Sequence, residues 1–357
     1  MRKLDNYIGH EVFIGIALVL AVLVGLFTFF SFIHEVNEIG KQRYGIWEAV
    51  KFVLLEVPHN IYDVFPISVL LGSLIGLGSL ATNSELTVMR AAGVSVLRIT
   101  FSTLRVGLGL TLVVMAIGEF VAPYTEQAAT ELRSLAQSES EQMVFNSQYG
   151  FWARDGESFI NIRRILPNGT FGDVSLYHFD TKQKLNSLVR AKTAEYQQGH
   201  WRFNEVQKTL FEDTKVSQEQ LPTFIWNNAQ LSPELVKIVV LNPYNLSSFD
   251  LVKYIDYLSH SEQRTLPYEL AFWTRLTYPL ISLAMMCIAI PFIFGSLRTV
   301  SIGQRILVGA LIGIGFYMFN QTMSSVGLVY ELNPIMSALF APVLFSGIAL
   351  WMMRRVI

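Results

Sequence analysis

The side chains able to do chemistry are few in this sequence and widely spaced. Its six histidines are scattered, and the pair His34-Glu35 lacks the following x-x-His that a helical zinc site needs. No Gly-x-x-x-x-Gly-Lys-Ser/Thr cradle for phosphate occurs, so any ATP used must be hydrolysed by another subunit. The Ser and Asp residues of the central polar segment form no nucleophile motif, and no acid, base or metal ligand set lies within the apolar runs. The chain reads as non-catalytic, with no cofactor of its own.

Two groups of charged residues stand out instead. The first is Ser84-Glu-Leu-Thr-Val-Met-Arg-Ala-Ala-Gly93. Ser84 is placed to cap a short helix, Leu86, Val88, Met89 and Ala92 make an apolar ridge, and Gly93 can close the C-terminus. Exposed Leu86 and Met89 beside Glu85 and Arg90 suit docking into a nucleotide-binding subunit; an interfacial helix resting on lipid headgroups is the alternative. The second group sits near the ends of apolar runs: His34, Glu35, Asp63 and Glu119, with Arg133 just beyond. These either line a polar portal or are solvated helix ends.

The elements that must position them are membrane helices. Hydrophobic residues make up 52% of 357 and charged residues only 15%, where soluble domains average about 25%. Mean hydropathy is +0.39. The net charge of −1 provides no basic field for nucleic acid, and the single Cys287 excludes a disulfide framework. Val12 to Ile33, Val64 to Ser84, Leu276 to Leu297, Ile306 to Tyr330 and Leu332 to Met353 are uncharged over about the 20 residues a span requires. Ile99 to Pro123 is a sixth span, its Arg105 and Glu119 near enough to the ends to snorkel. Tyr44 to Pro58 has one apolar helical face and reads as an interfacial helix of the outer leaflet. Gly72 with Gly76, and Gly309 with Gly313, provide close helix packing, within the chain or between subunits.

Lys and Arg in the short loops set the orientation. Arg2, Lys3, Arg90, Arg98, Arg105, Arg298, Arg305, Arg354 and Arg355 fall on one side, expected to be the cytoplasm, with both termini. The segment from about Tyr124 to Pro267 falls outside. There the periodicity changes to alternation: two strands around Asp155-Gly156, then Val174 to Phe179, Thr193 to Tyr196, Trp201 to Thr209, Phe224 to Trp226 and Leu235 to Val240. An antiparallel β-sandwich or jellyroll is expected, flanked by helices over Glu126 to Gln142 and from an N-cap at Ser247. The fold class is therefore membrane α-helical, six transmembrane helices plus an all-β periplasmic jellyroll-like domain. Residues 1–123 hold spans one to three with the 84–93 helix, 124–267 the β-domain and 268–357 spans four to six.

This order of elements resembles the LptF/LptG permease family of the lipopolysaccharide exporter, LptG-like chains most closely. The residues carrying the resemblance are Leu4-Asp5 with Tyr7-Ile8-Gly9, Phe65-Pro66 with Leu70-Leu71-Gly72, Ser84-Glu85-Leu86 to Gly93, Met115 to Glu119 with Val121-Ala-Pro123, Trp152-Ala153 with Asp155-Gly156, and Phe292 to Gly295 with Leu297-Arg298. The resemblance covers nearly the full chain. It implies a permease subunit of an ABC transporter in a Gram-negative inner membrane, which extracts lipopolysaccharide and passes it to a periplasmic bridge toward the outer membrane. Implied partners are an LptF-like permease, an LptB-like ATPase dimer that binds the ATP and Mg, an LptC-like single-helix protein and an LptA-like bridge. Ser84, Glu85, Leu86, Met89 and Arg90 would engage the ATPase, with Glu85 the coupling carboxylate.

The same resemblance has the lipid enter sideways between the first and fifth spans of the two permeases. An anionic glycolipid needs an apolar wall capped by positive charge. Leu26, Phe29, Phe30 and Ile33 supply the wall on the first span, and Phe316, Phe319 and Met323 on the fifth. LptG-like chains tend to carry lysines just past the first span, whereas this one has Ser31-Phe-Ile-His-Glu-Val-Asn-Glu38. The cap then falls to His34, Lys41, Arg43, Arg133 or the partner permease. Two other functions compete: a permease releasing lipoproteins or peptides, which usually has four spans with the outer domain after the first, and a membrane-anchored sensor or scaffold, which needs no coupling helix.

Overall fold

The structure is a computed structural model that describes residues 2–41, 43–137, 143–144, 151–165, 170–180, 184–197, 200–212, 215–226, 243–261, 263–295 and 300–355. The expected strand at 235–240, the 138–142 end of the expected flanking helix and Arg298 lie outside these residues. The chain divides into two compact units. One comprises Met1–His34, Val53–Glu126 and Leu266–Ile357, the other Glu35–Phe52 and Gln127–Thr265.

The first unit is helical. Among the described residues, six helices are long and apolar enough to cross a membrane: α1 (Arg2–Val36), α2 (Ile46–Thr82), α4 (Val96–Phe120, running on into α5, Ala122–Gln137), α7 (Leu266–Phe294), α8 (Ile302–Val329) and α9 (Pro334–Met353). The short α3 (Glu85–Ala91) follows α2. The expected interfacial helix and second span prove to be one helix, α2, which continues through Pro58 and Pro66. At about 1.5 Å per residue its 37 residues reach well beyond about 30 Å of hydrocarbon, so part of the helix extends past the apolar layer. Helices α2 and α7 are the most enclosed, and Phe65, Leu70, Leu74, Leu77, Met285, Met286 and Ile290 form the centre of the core. Local signals set the helix starts: Ser301 and Gln304 form a capping box on α8, and Asn333 accepts from the Ile335 N–H ahead of α9.

The small-residue spacings pack within the chain. A Cβ at Gly72 would run into the backbone of Ile16, and one at Gly76 would lie 2.6 Å from the Glu11 carbonyl, so α1 crosses α2 backbone to backbone. Gly309 leaves room for Leu71 and Leu74, and Gly313 for Ile67.

The second unit is built on one antiparallel sheet. Strands β3 (Ser158–Ile165), β4 (Phe171–Phe179), β5 (Leu185–Gln197), β6 (His200–Glu212) and β7 (Lys215–Trp226) are neighbours in sequence order, and β1 (Met143–Val144) and β2 (Phe151–Asp155) pair with successive parts of β3. Gly156, at φ +60°, makes the expected β2–β3 turn. The inner face carries Ile160, Ile162, Phe171, Trp201 and Phe203, all essentially inaccessible to solvent.

Across the sheet the ladder pairs at Asp173, Lys192, Glu205 and Pro222 are missing with the register unchanged on either side, Asp173 and Glu205 have left-handed φ of +51° and +52°, and the register shifts between His178 and Phe179. These gaps align from strand to strand across the sheet. Strand β7 extends far N-terminal of the expected Phe224–Trp226. Its added residues are mostly polar and both faces are largely solvated, so hydropathy gives no sign of them. Helix α6 (Ser248–His260) starts at the expected cap, with the Ser247 Oγ accepting from the Asp250 N–H at 3.1 Å.

Candidate functional site

Helix α3 is closed as expected at its C-terminus and not at its N-terminus. Gly93, at φ +86°, lets its own N–H reach the Arg90 carbonyl and that of Val94 reach Met89, at 3.0 Å each. Ser84 takes a left-handed φ of +62° and its side chain caps nothing, contrary to the expected N-cap. The ridge is also split. Leu86 and Met89 are buried against the helical core, while Val88 on the other side is exposed. Residues three apart share a helix face, and the core claims the face with the larger side chains. The surface presented outward therefore consists of Thr87, Val88, Arg90 and Ala91 with half-exposed Glu85, not Leu86 and Met89. Arg90 stacks over Phe294 at 5.8 Å, beside a cavity of about 330 Å³ lined by Ala81, Leu86, Thr87, Arg90, Ala91, Ile293 and Phe294.

Glu85 is half-buried and accepts a 2.9 Å hydrogen bond from the Tyr7 hydroxyl of α1. Two residues earlier, Asp5 accepts from Arg98 Nε at 3.0 Å and Nη2 at 2.9 Å, and from the Ser102 hydroxyl at 3.1 Å. The N-terminal end of α1 is thus tied to both α3 and α4.

Further along α1, Leu26, Phe29, Phe30 and Ile33 are exposed together, as is His34. Of the residues expected opposite them, Phe319 and Met323 of α8 are half-buried. Phe316 departs from the expectation: it faces inward, edge-on to Phe345 of α9 at 4.8 Å, and is only 5% exposed. The α8–α9 packing takes that position of the helix.

The expected cations are not a bare positive cap. Glu35, 1% exposed, accepts from the Tyr44 hydroxyl at 2.6 Å and pairs with Arg133 at 3.2 Å. Arg133 also faces Glu38 at 3.6 Å and lies over the Phe52 ring at 5.4 Å, while Lys41 binds Glu38 at 2.8 Å. The Arg43 N–H donates to the Ala136 carbonyl, which holds the turn against α5. Two carboxylates and two cations sum to no net charge. Sequence leaves Glu35 at a polar portal or a solvated helix end and gives no reason to pair it with Tyr44; a single acid beside an apolar run carries no sign that it will be buried.

Asp63 and Glu119 have partners as well. Asp63 pairs with His59 at 3.2 Å, and Glu119 lies 3.4 Å from Arg275 of α7. Arg275 also donates to the Gly118 carbonyl at 2.9 Å and sits over Tyr62, which stacks on Tyr278 with centroids 4.1 Å apart. Arg305 is 1% exposed and donates to the Gly78 carbonyl at 2.6 Å and to Thr82 at 3.0 Å. Both arginines border apolar runs, so in sequence they read as span ends. Among the described residues, no group of three or more His, Cys, Asp or Glu is placed to hold a metal ion.

Six apolar helices with an antiparallel β-domain between the third and fourth define a multi-pass membrane protein carrying a folded extramembrane domain. The model of the family "Lipopolysaccharide export system permease LptF/LptG" matches residues 6–355, and the chain belongs to that family. It is 36% identical over 355 residues to the lipopolysaccharide export system permease protein LptG of Escherichia coli K12, covering 99% of this chain and 98% of that one. Identity to the LptG of Haemophilus influenzae is 35% over 358 residues, covering 99% of each.

Proposed function

We propose that this chain is the LptG-type permease subunit of a lipopolysaccharide exporter. The observation that carries the reading is the kinship with LptG proteins along the whole chain, through all six helices and the β-domain alike. A protein sharing only the membrane part would support a permease of unstated cargo.

In this reading the membrane is the inner membrane, the α3 side is cytoplasmic and the β-domain is periplasmic. An ATPase dimer docks at α3 and supplies the ATP and Mg chemistry, with Glu85 and Arg90 as its polar contacts. A second, LptF-like permease completes the pathway, and an LptC-like helix and an LptA-like bridge carry the lipid onward. Acyl chains travel along the exposed Leu26, Phe29, Phe30 and Ile33 of α1, with Phe319 and Met323 on the fifth span. Phosphates meet the Glu35–Arg133–Glu38–Lys41 network. Because that network is internally neutral, an incoming phosphate must compete with Glu35 and Glu38 for their cations, which favours transfer over tight retention.

Extraction of the full chain in mild detergent, followed by mass spectrometry of everything that copurifies, tests the proposal. An ATPase, a second permease and lipopolysaccharide are the expected companions. Recovery of the chain with lipoprotein cargo, or with no ATPase, would refute it.

A further inference from the structure

Helix α1 is packed along one half and open along the other. Ile8, Val12, Ile16 and Val19 are buried, whereas Val22, Leu26, Phe29, Phe30 and Ile33 are exposed. Within the packed half lies the crossing of Gly15 with Gly72 and Gly76, where the two helix backbones approach directly. The three glycines keep side-chain bulk out of the crossing itself, so it can serve as a pivot.

On the N-terminal side of the pivot, two polar ties hold α1. Positions 5 and 7 are about 200° apart around a helix, so the ties pull toward different neighbours. Asp5 is bound by three donors of α4, and Tyr7 makes one hydrogen bond to Glu85 of the seven-residue α3. If the Tyr7 tie is released, the Asp5–Arg98 pair is left unopposed and draws this end of α1 toward α4. Tyr7 lies about 12 Å from Gly15 along the axis and Phe30 about 22 Å, so a shift at Tyr7 is roughly doubled at Phe30 and reversed in direction.

We propose that Tyr7 is a positioning residue that transmits the docking state of α3 to α1. When a cation of the ATPase subunit engages the Glu85 carboxylate and draws it away from α1, the Tyr7 hydroxyl loses its acceptor. Helix α1 then tilts about Gly15 and moves its exposed aromatic half. This rests on the exporter reading, in which Glu85 faces the ATPase; what it adds is the route from that carboxylate to the lipid-facing helix.

The test uses the full complex in lipid nanodiscs with lipopolysaccharide, in a Cys287→Ser background, spin-labelled at Phe30→Cys and Met318→Cys. Pulsed electron resonance gives the label distance with and without ATP. Tyr7→Phe and Glu85→Ala are expected to show, without nucleotide, the distance the parent reaches only with ATP. Glu85→Gln keeps an acceptor for Tyr7 and should stay at the parent's resting distance. Lipopolysaccharide released per ATP hydrolysed should fall about tenfold in Tyr7→Phe, and adding Tyr7→Phe to Glu85→Ala should lower it no further. A parent-like resting distance in Tyr7→Phe, or losses that multiply in the double variant, overturns the relay while leaving the exporter reading in place. If the parent complex shows no nucleotide-dependent distance and releases no lipopolysaccharide, the exporter reading itself fails.

Discussion

Arg133→Ala probes whether the cations beside the first span are held by the chain itself. Glu35 is 1% exposed and has two polar partners, the Tyr44 hydroxyl at 2.6 Å and Arg133 at 3.2 Å. Removing the guanidinium leaves a buried carboxylate with one donor. For a fully buried pair that costs roughly 3–5 kcal/mol. The Arg133 side chain is 32% exposed, so water screens the pair and the expected cost falls to about 2 kcal/mol. The 3.6 Å contact to Glu38 adds about 0.5 kcal/mol at most.

A cost of about 2 kcal/mol corresponds to roughly a thirtyfold rise in local opening, which hydrogen exchange reads directly. The reporters are the Arg43 and Tyr44 amides, bonded to the Ala136 and Lys41 carbonyls at 3.0 Å each. Exchange at both should accelerate about thirtyfold in Arg133→Ala, and by less than threefold in Glu38→Ala. Adding Glu35→Gln to Arg133→Ala should recover much of the loss, since a neutral amide needs no counter-charge. Exchange in Arg133→Ala within threefold of the parent, or no rescue by Glu35→Gln, would refute the captive-cation argument and return Arg133 to the role of a free phosphate ligand.

Four further outcomes are expected. Lys41→Glu with Arg43→Glu should weaken photocrosslinking to lipopolysaccharide more than Phe30→Ala does, because reversal adds repulsion to lost attraction; undiminished crosslinking at low salt would move the phosphate contacts to the partner chain. Cysteines at Ser84 and Ser301 should be shielded from an impermeant thiol reagent in intact cells while one at Lys184 reacts, and labelling of Ser301 from outside would overturn the orientation. Gly72→Val places a side chain against the backbone of Ile16, where nothing can yield, and should destabilise the α1–α2 crossing by about 3 kcal/mol or more, read as a lower melting temperature of the purified chain. Burial raises the Tyr257 phenol to about 12, so the β-domain holds that proton where the unfolded chain has lost it; stability should decline as pH rises from about 10 to 12, and Tyr257→Phe should remove that share of the decline.

Six spans, an alternating central domain and a short charged helix after the second span follow from local properties. An apolar run long enough to cross a bilayer, a period that changes from helical to alternating and a Gly closing a helix can each be read within about twenty residues, and each corresponds to an element of the structure. Where the reading departs from the structure, the cause is a partner distant in sequence. Leu86 and Met89 face inward because they pack on the helical core, Phe316 because Phe345 meets it, and β7 is a strand because β6 pairs with it although most of its residues before Phe224 are polar.

Charge shows the division most clearly. Sequence alone determined that lysines are missing after the first span and that Lys41, Arg43 and Arg133 remain. Only the tertiary structure decided that Glu35 and Glu38 hold Arg133, that Glu119 meets Arg275, and that Tyr7 reaches Glu85 across 78 positions and Arg305 reaches Gly78 across 227. Hydropathy and periodicity act through neighbouring residues and leave a mark in the sequence where they act. An ion pair or hydrogen bond between distant segments exists only after packing has brought its two groups within about 3 Å, and no local pattern specifies which two those are.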